Sequence, residues 1–226
     1  MKNKKIKFLF LFVLALALFL AGYFIYPNEQ KEIIKTSTGQ IEVVNSNKFW
    51  NKQRKEIHYD SDGNIEKELV FINDIQEGFE TYYFPNGQLK AKIQFKDGVK
   101  NGSMDSWYED GSYLGFAEFK DDHHTGISKA WWPNGNLKAV GNFKDGHQNG
   151  LETQYYSDGK KKIEGEFLDG VLHGLERRWY ANGQIMAEIK YINGEISSEY
   201  TFWNEDGEIL NDIDPDDFLG ERKFQH

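Results

Sequence analysis

Short runs of alternating apolar and polar residues recur through most of the chain. The run LKAKIQFK at 89–96 has an apolar side chain at every second position, with lysine or glutamine between them. The run LKAVGNFK at 137–144 follows the same order. An alternation of period two predicts a β-strand with one buried face. The predicted buried face of the first run carries Leu89, Ala91, Ile93 and Phe95.

A glycine column divides these strands into repeats of 24 residues. The column consists of Gly63, Gly87, Gly111, Gly135, Gly159, Gly183 and Gly207. Each glycine follows an asparagine or an aspartate. Such pairs favour the type I′ turn of a β-hairpin, because both residues tolerate positive φ. Each repeat is therefore predicted to contain one tight hairpin.

A second turn closes each repeat. It reads Asp-Gly or Asn-Gly in most repeats and Asp-Asp in one. These turns lie at 97–98, 121–122, 145–146, 169–170 and 193–194. The predicted fold class is all-β: an array of about seven 24-residue β-hairpin repeats, at 54–210, in one elongated twisted antiparallel sheet.

Aromatic residues recur at three places in the repeat. One lies four residues before the glycine and one lies eight residues after it, and both are predicted to pack along the array. A third directly follows the first and is predicted to point the other way. This column, here called the turn aromatics, consists of Phe84, Tyr108, Trp132, Tyr156 and Tyr180. Exposed rings at regular spacing are typical of recognition surfaces, so these are candidate partner-binding residues. The alternative is that the sheet curls and the column is structural.

These motifs resemble the MORN-repeat variant of bacterial proteins, a family often labelled as YwqK-type antitoxins. The shared pattern is Y-[YWF]-x-[ND]-G, seven residues, then [FY]-x-[DN]-G-x-x-x-G, and residues 85–102 carry it as PNGQLKAKIQFKDGVKNG. The resemblance covers about residues 54–210. It implies a β-hairpin array that binds a protein, in one version as an antitoxin or immunity protein. The family has no shared catalytic motif.

The N-terminal residues predict a membrane anchor. Residues 1–7 contain four lysines and form a basic cytoplasmic tail, and residues 8–26 carry no charge. An apolar span of about 20 residues crosses a bilayer, and the lysines place the repeats outside the cytoplasm. The chain is thus predicted to be a single-pass protein of the bacterial cell membrane. Cleavage of this segment as a signal peptide, giving a secreted or periplasmic protein, is the alternative.

Two further segments flank the repeats. Residues 27–53 are either a spacer from the membrane or a degenerate repeat that caps the array. Residues 211–226 form an acidic tail, in which Phe218 and Leu219 are predicted to cap the last hairpin. The aspartates of this tail do not fit the EF-hand pattern, because Asp217 and Lys223 stand where glycine and glutamate are required.

The sequence offers no constellation that predicts catalysis, so the protein is not expected to be an enzyme. The chain has no cysteine. His123 and His147 occupy equivalent places in adjacent repeats, but such places are about 10 Å apart, too far for one ion. We therefore predict neither a metal site nor a cofactor.

Charge separates the possible partners. The net charge is −9 despite the four N-terminal lysines, so the repeats are acidic. This charge disfavours nucleic acid and favours a basic protein, for example a toxin. The first hypothesis is a membrane-tethered scaffold that binds another protein outside the cytoplasm. The alternative is a cell-envelope or glycan-binding module, because aromatic rings also stack on sugars.

Overall fold

The computed structural model describes residues 29–48 and 51–219, which form one 18-stranded sheet and one short helix. The first nine strands are β1 (Gln30–Lys35), β2 (Gln40–Lys48), β3 (Asn51–Tyr59), β4 (Ile65–Ile72), β5 (Ile75–Gln76), β6 (Gly78–Tyr83), β7 (Leu89–Lys96), β8 (Val99–Trp107) and β9 (Tyr113–Lys120). The others are β10 (His123–Trp131), β11 (Leu137–Lys144), β12 (His147–Gln148), β13 (Gly150–Tyr155), β14 (Lys161–Leu168), β15 (Val171–Trp179), β16 (Ile185–Ile192), β17 (Glu195–Trp203) and β18 (Ile209–Leu210). Helix α1 is Pro215–Leu219.

Each strand pairs antiparallel with its neighbour in chain order, so the sheet is a long meander. Both β5 and β6 pair with β4, and both β12 and β13 pair with β11, so each short strand is one piece of an interrupted strand. The predicted all-β array in one antiparallel sheet is confirmed. Strands β1 and β2 add a further hairpin, which pairs with β3.

The predicted transmembrane segment, residues 8–26, and the basic tail, residues 1–7, lie outside the described residues. Within residues 29–48 and 51–219, no helix has the length and apolar character needed to span a bilayer.

The two turns of a repeat differ in type, and the prediction was wrong for the first. At the second turn, Asp97 and Gly98 both have positive φ (53° and 83°), as a type I′ turn requires. At the first turn only Gly87 has positive φ, while Gly87 N donates to Phe84 O and Phe84 N donates to Gln88 O. This pattern is a type I turn closed by a glycine bulge. Pro85 is not required for this turn, because Gly111 N donates to Tyr108 O and Tyr108 N donates to Ser112 O in a repeat that has Glu109 at the equivalent position.

A bulge also corrects the predicted strand face. Tyr82 lies opposite Ala91, but Tyr83 lies opposite Leu89, so Lys90 has no partner across the ladder. One extra residue reverses the alternation beyond it. Leu89 therefore lies on the face opposite to Ala91 and Ile93, contrary to the prediction. The same shift occurs at the corresponding place in five other hairpins, but not between β17 and β18.

The core lies on one face of the sheet, here called the inner face. It carries Leu69, Ile93 and Phe167, and the opposite face is called the outer face. The most buried part of the inner face lies beneath the C-terminal segment. There Ala187, Ile189, Tyr191, Phe202 and Leu219 form one cluster, and Ile213 and Phe218 pack against it. The rings of Phe202 and Phe218 are 4.3 Å apart. Among residues 29–48 and 51–219, the tail thus supplies a second layer over this end of the sheet only.

Candidate functional site

The turn aromatics connect successive repeats. All five are half-buried, at the end of a strand beside the first turn. In four of them the tyrosine hydroxyl or the tryptophan Nε1–H group donates a hydrogen bond to a backbone carbonyl of the next repeat. The donor–acceptor pairs are Tyr108–Trp131 (2.9 Å), Trp132–Tyr155 (3.2 Å), Tyr156–Trp179 (2.8 Å) and Tyr180–Trp203 (2.8 Å). Phe84 lacks such an atom. The turn aromatics therefore have a structural role, which the sequence analysis gave as the alternative to a binding surface.

Lysines lie over the faces of three of these rings. Each comes from the bulge position of the same repeat. The ammonium-to-centroid distances are 5.7 Å for Lys90–Phe84, 4.7 Å for Lys138–Trp132 and 5.7 Å for Lys162–Tyr156. An ammonium over a ring face is held by the ring quadrupole. A partner would therefore meet ring edges and lysines, so a binding role for the column stays a prediction.

A ring cluster occupies the centre of the outer face. Tyr113 lies 5.7 Å from Trp107, edge-on, and 4.9 Å from Trp131. Its hydroxyl donates to Asp105 at 2.5 Å. Burial, followed by this hydrogen bond, raises the pKa of Tyr113. Tyr113 belongs to none of the three aromatic columns, so Trp107 and Trp131 of successive repeats are connected here through a ring that the column pattern did not predict.

A row of glutamates crosses the inner face. Each member lies seven residues before the glycine of the first turn. Each is paired with a residue on the neighbouring strand, and these partners are Leu69, Ile93, Gly165 and Ile189. They are Glu56, Glu80, Glu152 and Glu176. Sequence reasoning missed this row, although the 24-residue spacing was visible, because Met104 and Ser128 interrupt it.

Side chains two residues further along the same strand bind these carboxylates. Tyr82 donates to Glu80 at 2.6 Å, and Gln76 Nε2 donates to the same carboxylate at 3.1 Å. Burial, followed by the bond to Glu80, raises the pKa of Tyr82 to about 12. Arg178 pairs with the fully buried Glu176. Burial raises the pKa of Glu176, although Arg178 acts in the opposite direction.

Small side chains fill the centre of the inner face between Glu80 and Glu152. Gly141 lies opposite Ser128, and a Cβ on Gly141 would be 3.5 Å from the Glu152 side chain. At Gly141 the stem of the Glu152 side chain thus packs over the bare backbone. Ala130 lies opposite Gly115 on the neighbouring strand.

His124 lies on the inner face between two phenylalanines. Its ring stacks on Phe119 at 5.3 Å and on Phe143 at 3.7 Å. Its Nε2 atom is buried, and burial lowers the pKa of the imidazole. His123 and His147 are exposed at the second turn. In the part of the chain that the structure describes, no three histidine, aspartate or glutamate side chains converge as metal ligands would.

The comparisons with known proteins identify the repeat. A family model described as the MORN repeat variant matches residues 76–97, 125–145, 148–169 and 172–193. These four segments of the array are MORN repeat variants. No curated protein matches the chain.

Hairpins outside the matched segments have the same structure as the matched repeats. Residues 99–120 form the hairpin of β8 and β9, which has the same pairing and bulge as its matched neighbours. Its second turn is Asp121-Asp122, with φ of 50° and 66°, where the matched repeats have glycine second. Strands β3 and β4 form an equivalent hairpin before the first match.

Proposed function

We propose that the MORN-variant array is a non-enzymatic scaffold that binds another protein. The supporting observation is that the chain already uses the inner face to hold a peptide: α1 and the residues before it lie on β16 and β17, where Ala187 and Ile189 have no exposed surface. The earlier repeats present the same face without this tail. An open face of this kind suits a partner segment.

The proposal includes the location. Residues 8–26 hold the protein in the bacterial cell membrane, and the repeats lie outside the cytoplasm. The net charge of −9 steers basic proteins to the array. One version, which rests on the labelling of similar repeat proteins, is an antitoxin or immunity protein that masks a toxin. The turn aromatics would add contacts from their exposed ring edges.

Capture of the full chain from its own cells tests this proposal. The chain carries a tag after His226, membranes are solubilised gently, and retained proteins are identified by mass spectrometry. A single protein retained in stoichiometric amount supports the scaffold. Recovery of wall polymers and no protein contradicts it and favours the glycan-binding alternative.

Single alanine substitutions at Tyr108, Trp132 and Tyr156 test the turn aromatics in the same assay. Because these side chains also connect repeats, each variant is first compared with the wild type by circular dichroism. Loss of the partner from a variant with the native spectrum supports a binding role. Retention by every folded variant assigns the column to structure alone.

A further inference from the structure

The surface that holds the tail has a near copy four repeats earlier. Under the tail, the strand pair carries Glu176, Ala187, Ile189 and Tyr191. At positions 96 residues earlier the chain has Glu80, Ala91, Ile93 and Phe95. The pairing is also the same: Glu176 lies opposite Ile189, and Glu80 lies opposite Ile93. The inner face over β6, β7 and β8 therefore has the floor of a peptide site.

This earlier surface keeps accessible area. Ala187 has no exposed surface and Tyr191 is 7 % exposed beneath the tail, whereas the equivalent Ala91 and Phe95 are half-buried. Ile93 itself is 8 % exposed. The apolar groups that the tail covers on β16 and β17 are thus still partly exposed on β7. This exposed apolar area is available for contact with a further segment.

One difference between the two surfaces leaves room for an aromatic ring on the earlier one. Phe202 lies opposite Ala187 and contacts Phe218 of the tail, but the equivalent residue opposite Ala91 is Ser106. The Ser106 hydroxyl already donates to Gly115 O at 3.3 Å, so it does not require a polar ligand. A segment bound here would supply the aromatic ring that the array itself supplies at Phe202.

The charge of this surface selects the segment. Lys67 lies opposite Tyr82, and Lys100 lies opposite Phe95, where the tail site has Ile163 and Ile196. Within the described residues, neither ammonium has a carboxylate partner, and Lys100 lies 5.4 Å from the ring of Phe119. Both lysines are half-buried, so their charges are less screened than those of exposed groups. The two lysine charges are opposite in sign to the net charge of the chain, and the one carboxylate that the floor itself carries, Glu80, already accepts hydrogen bonds from Tyr82 and Gln76.

We propose that the inner face over β4 to β8 binds an acidic segment of a partner protein, one that carries an aromatic residue next to a leucine. The ring would lie in the space beside Ser106, the leucine on Ala91 and Ile93, and the acidic groups near Lys67 and Lys100. The chain's own tail has this chemistry but is already held on β16 and β17. The inference rests on the proposed scaffold function and names the partner chemistry of one site.

Titration of the full chain with two synthetic peptides tests the site. The first has the sequence of residues 211–219, NDIDPDDFL, and the second has lysine in place of each aspartate. Fluorescence anisotropy of labelled peptide measures the affinity. We expect the acidic peptide to bind at least tenfold more tightly than the basic one, and its binding to weaken as salt concentration rises. Equal binding of both peptides, or tighter binding of the basic one, overturns the proposal.

Variants locate the bound peptide. Lys67→Glu with Lys100→Glu, and separately Ser106→Phe, are expected to weaken binding at least tenfold. The matched control is Lys92→Glu with Lys129→Glu, which makes the same charge change on the outer faces of β7 and β10 and is expected to retain wild-type affinity. Undiminished binding by the double variant shows that the peptide binds elsewhere, for example in place of the tail on β16 and β17, and overturns the site, even if Ser106→Phe fails to fold.

The same double variant separates this site from the scaffold function. If the captured cellular protein stays bound to Lys67→Glu with Lys100→Glu, the scaffold proposal stands and the site is wrong. Loss of that protein, with the native circular dichroism spectrum retained, supports both.

Discussion

At the scale of single residues, the hydrogen bonds of the turn aromatics explain why polar rings recur in this column. The phenol of Tyr156 donates across the seam between two repeats to Trp179 O at 2.8 Å. The ring can stay in place without the hydroxyl, as Phe84 does at the equivalent position. The hydroxyl therefore adds a specific bond to packing that exists without it.

Removal of this hydroxyl is expected to weaken the seam. Tyr156→Phe should lower the free energy of unfolding by about 0.5–1.5 kcal/mol, the usual net value of one hydrogen bond. Urea unfolding of the full chain, followed by tryptophan fluorescence, measures the change. Phe84→Tyr is the reciprocal variant and should raise the unfolding midpoint, since it offers a donor to the next repeat. An unchanged midpoint in both variants would contradict the role given to the bond.

His124 makes the stability of the central repeats depend on pH. Burial between Phe119 and Phe143 lowers its pKa below the ordinary value of 6.5. Since the pKa is lower in the folded state, the neutral ring contributes stability above the ordinary pKa, and that contribution is lost as pH falls through the folded pKa. We expect the melting temperature of the wild type to fall more steeply between pH 7 and pH 5 than that of His124→Phe. Parallel curves from calorimetry would refute this.

At the scale of elements, the tail acts as a local second layer. Leu219 is 5 % exposed within the cluster on β16 and β17. Leu219 is the last residue of a five-residue helix, which is too short to be stable without tertiary packing. The helix and the strand surface therefore depend on each other.

Truncation of this leucine should expose the cluster. Leu219→Ala is expected to cost about 2–5 kcal/mol, as for other buried leucines, and to increase hydrogen exchange in β16 and β17 more than in β7. The control is Ile209→Ala in β18, which is 59 % exposed and should change stability by less than about 0.5 kcal/mol. Equal exchange in all strands would mean that the tail does not protect this end selectively.

At the scale of the whole molecule, the array is a one-dimensional stack in which each hairpin contacts its neighbours. Between the described strands, pairings run only from one strand of the meander to the next, so none of these pairings closes the sheet on itself. Stability in such arrays is a sum of repeat and interface contributions.

Deletion of one repeat in phase should therefore leave a folded array. Removal of residues 99–122 joins Gly98 to His123, so that β7 turns directly into β10. We expect native-like circular dichroism and a lower urea midpoint. Removal of residues 99–121, one residue fewer, disturbs the second turn and moves the following side chains out of register, so it should destabilise the array much more. Similar midpoints for the two deletions would contradict this account.

The sequence by itself determined the 24-residue period, the strands, the places of the two turns and the all-β sheet, whereas the structure showed that the second turn, and not the first, is of type I′. These follow from local rules: alternation sets a strand, and an Asp-Gly pair such as Asp97-Gly98 tolerates positive φ. Only the tertiary structure decided the rest. The bulge at Lys90 moved Leu89 to the outer face, because register depends on the partner strand. The glutamate row and the surface beneath the tail combine residues from separate hairpins, so their burial and hydrogen bonds exist only once the hairpins pack together.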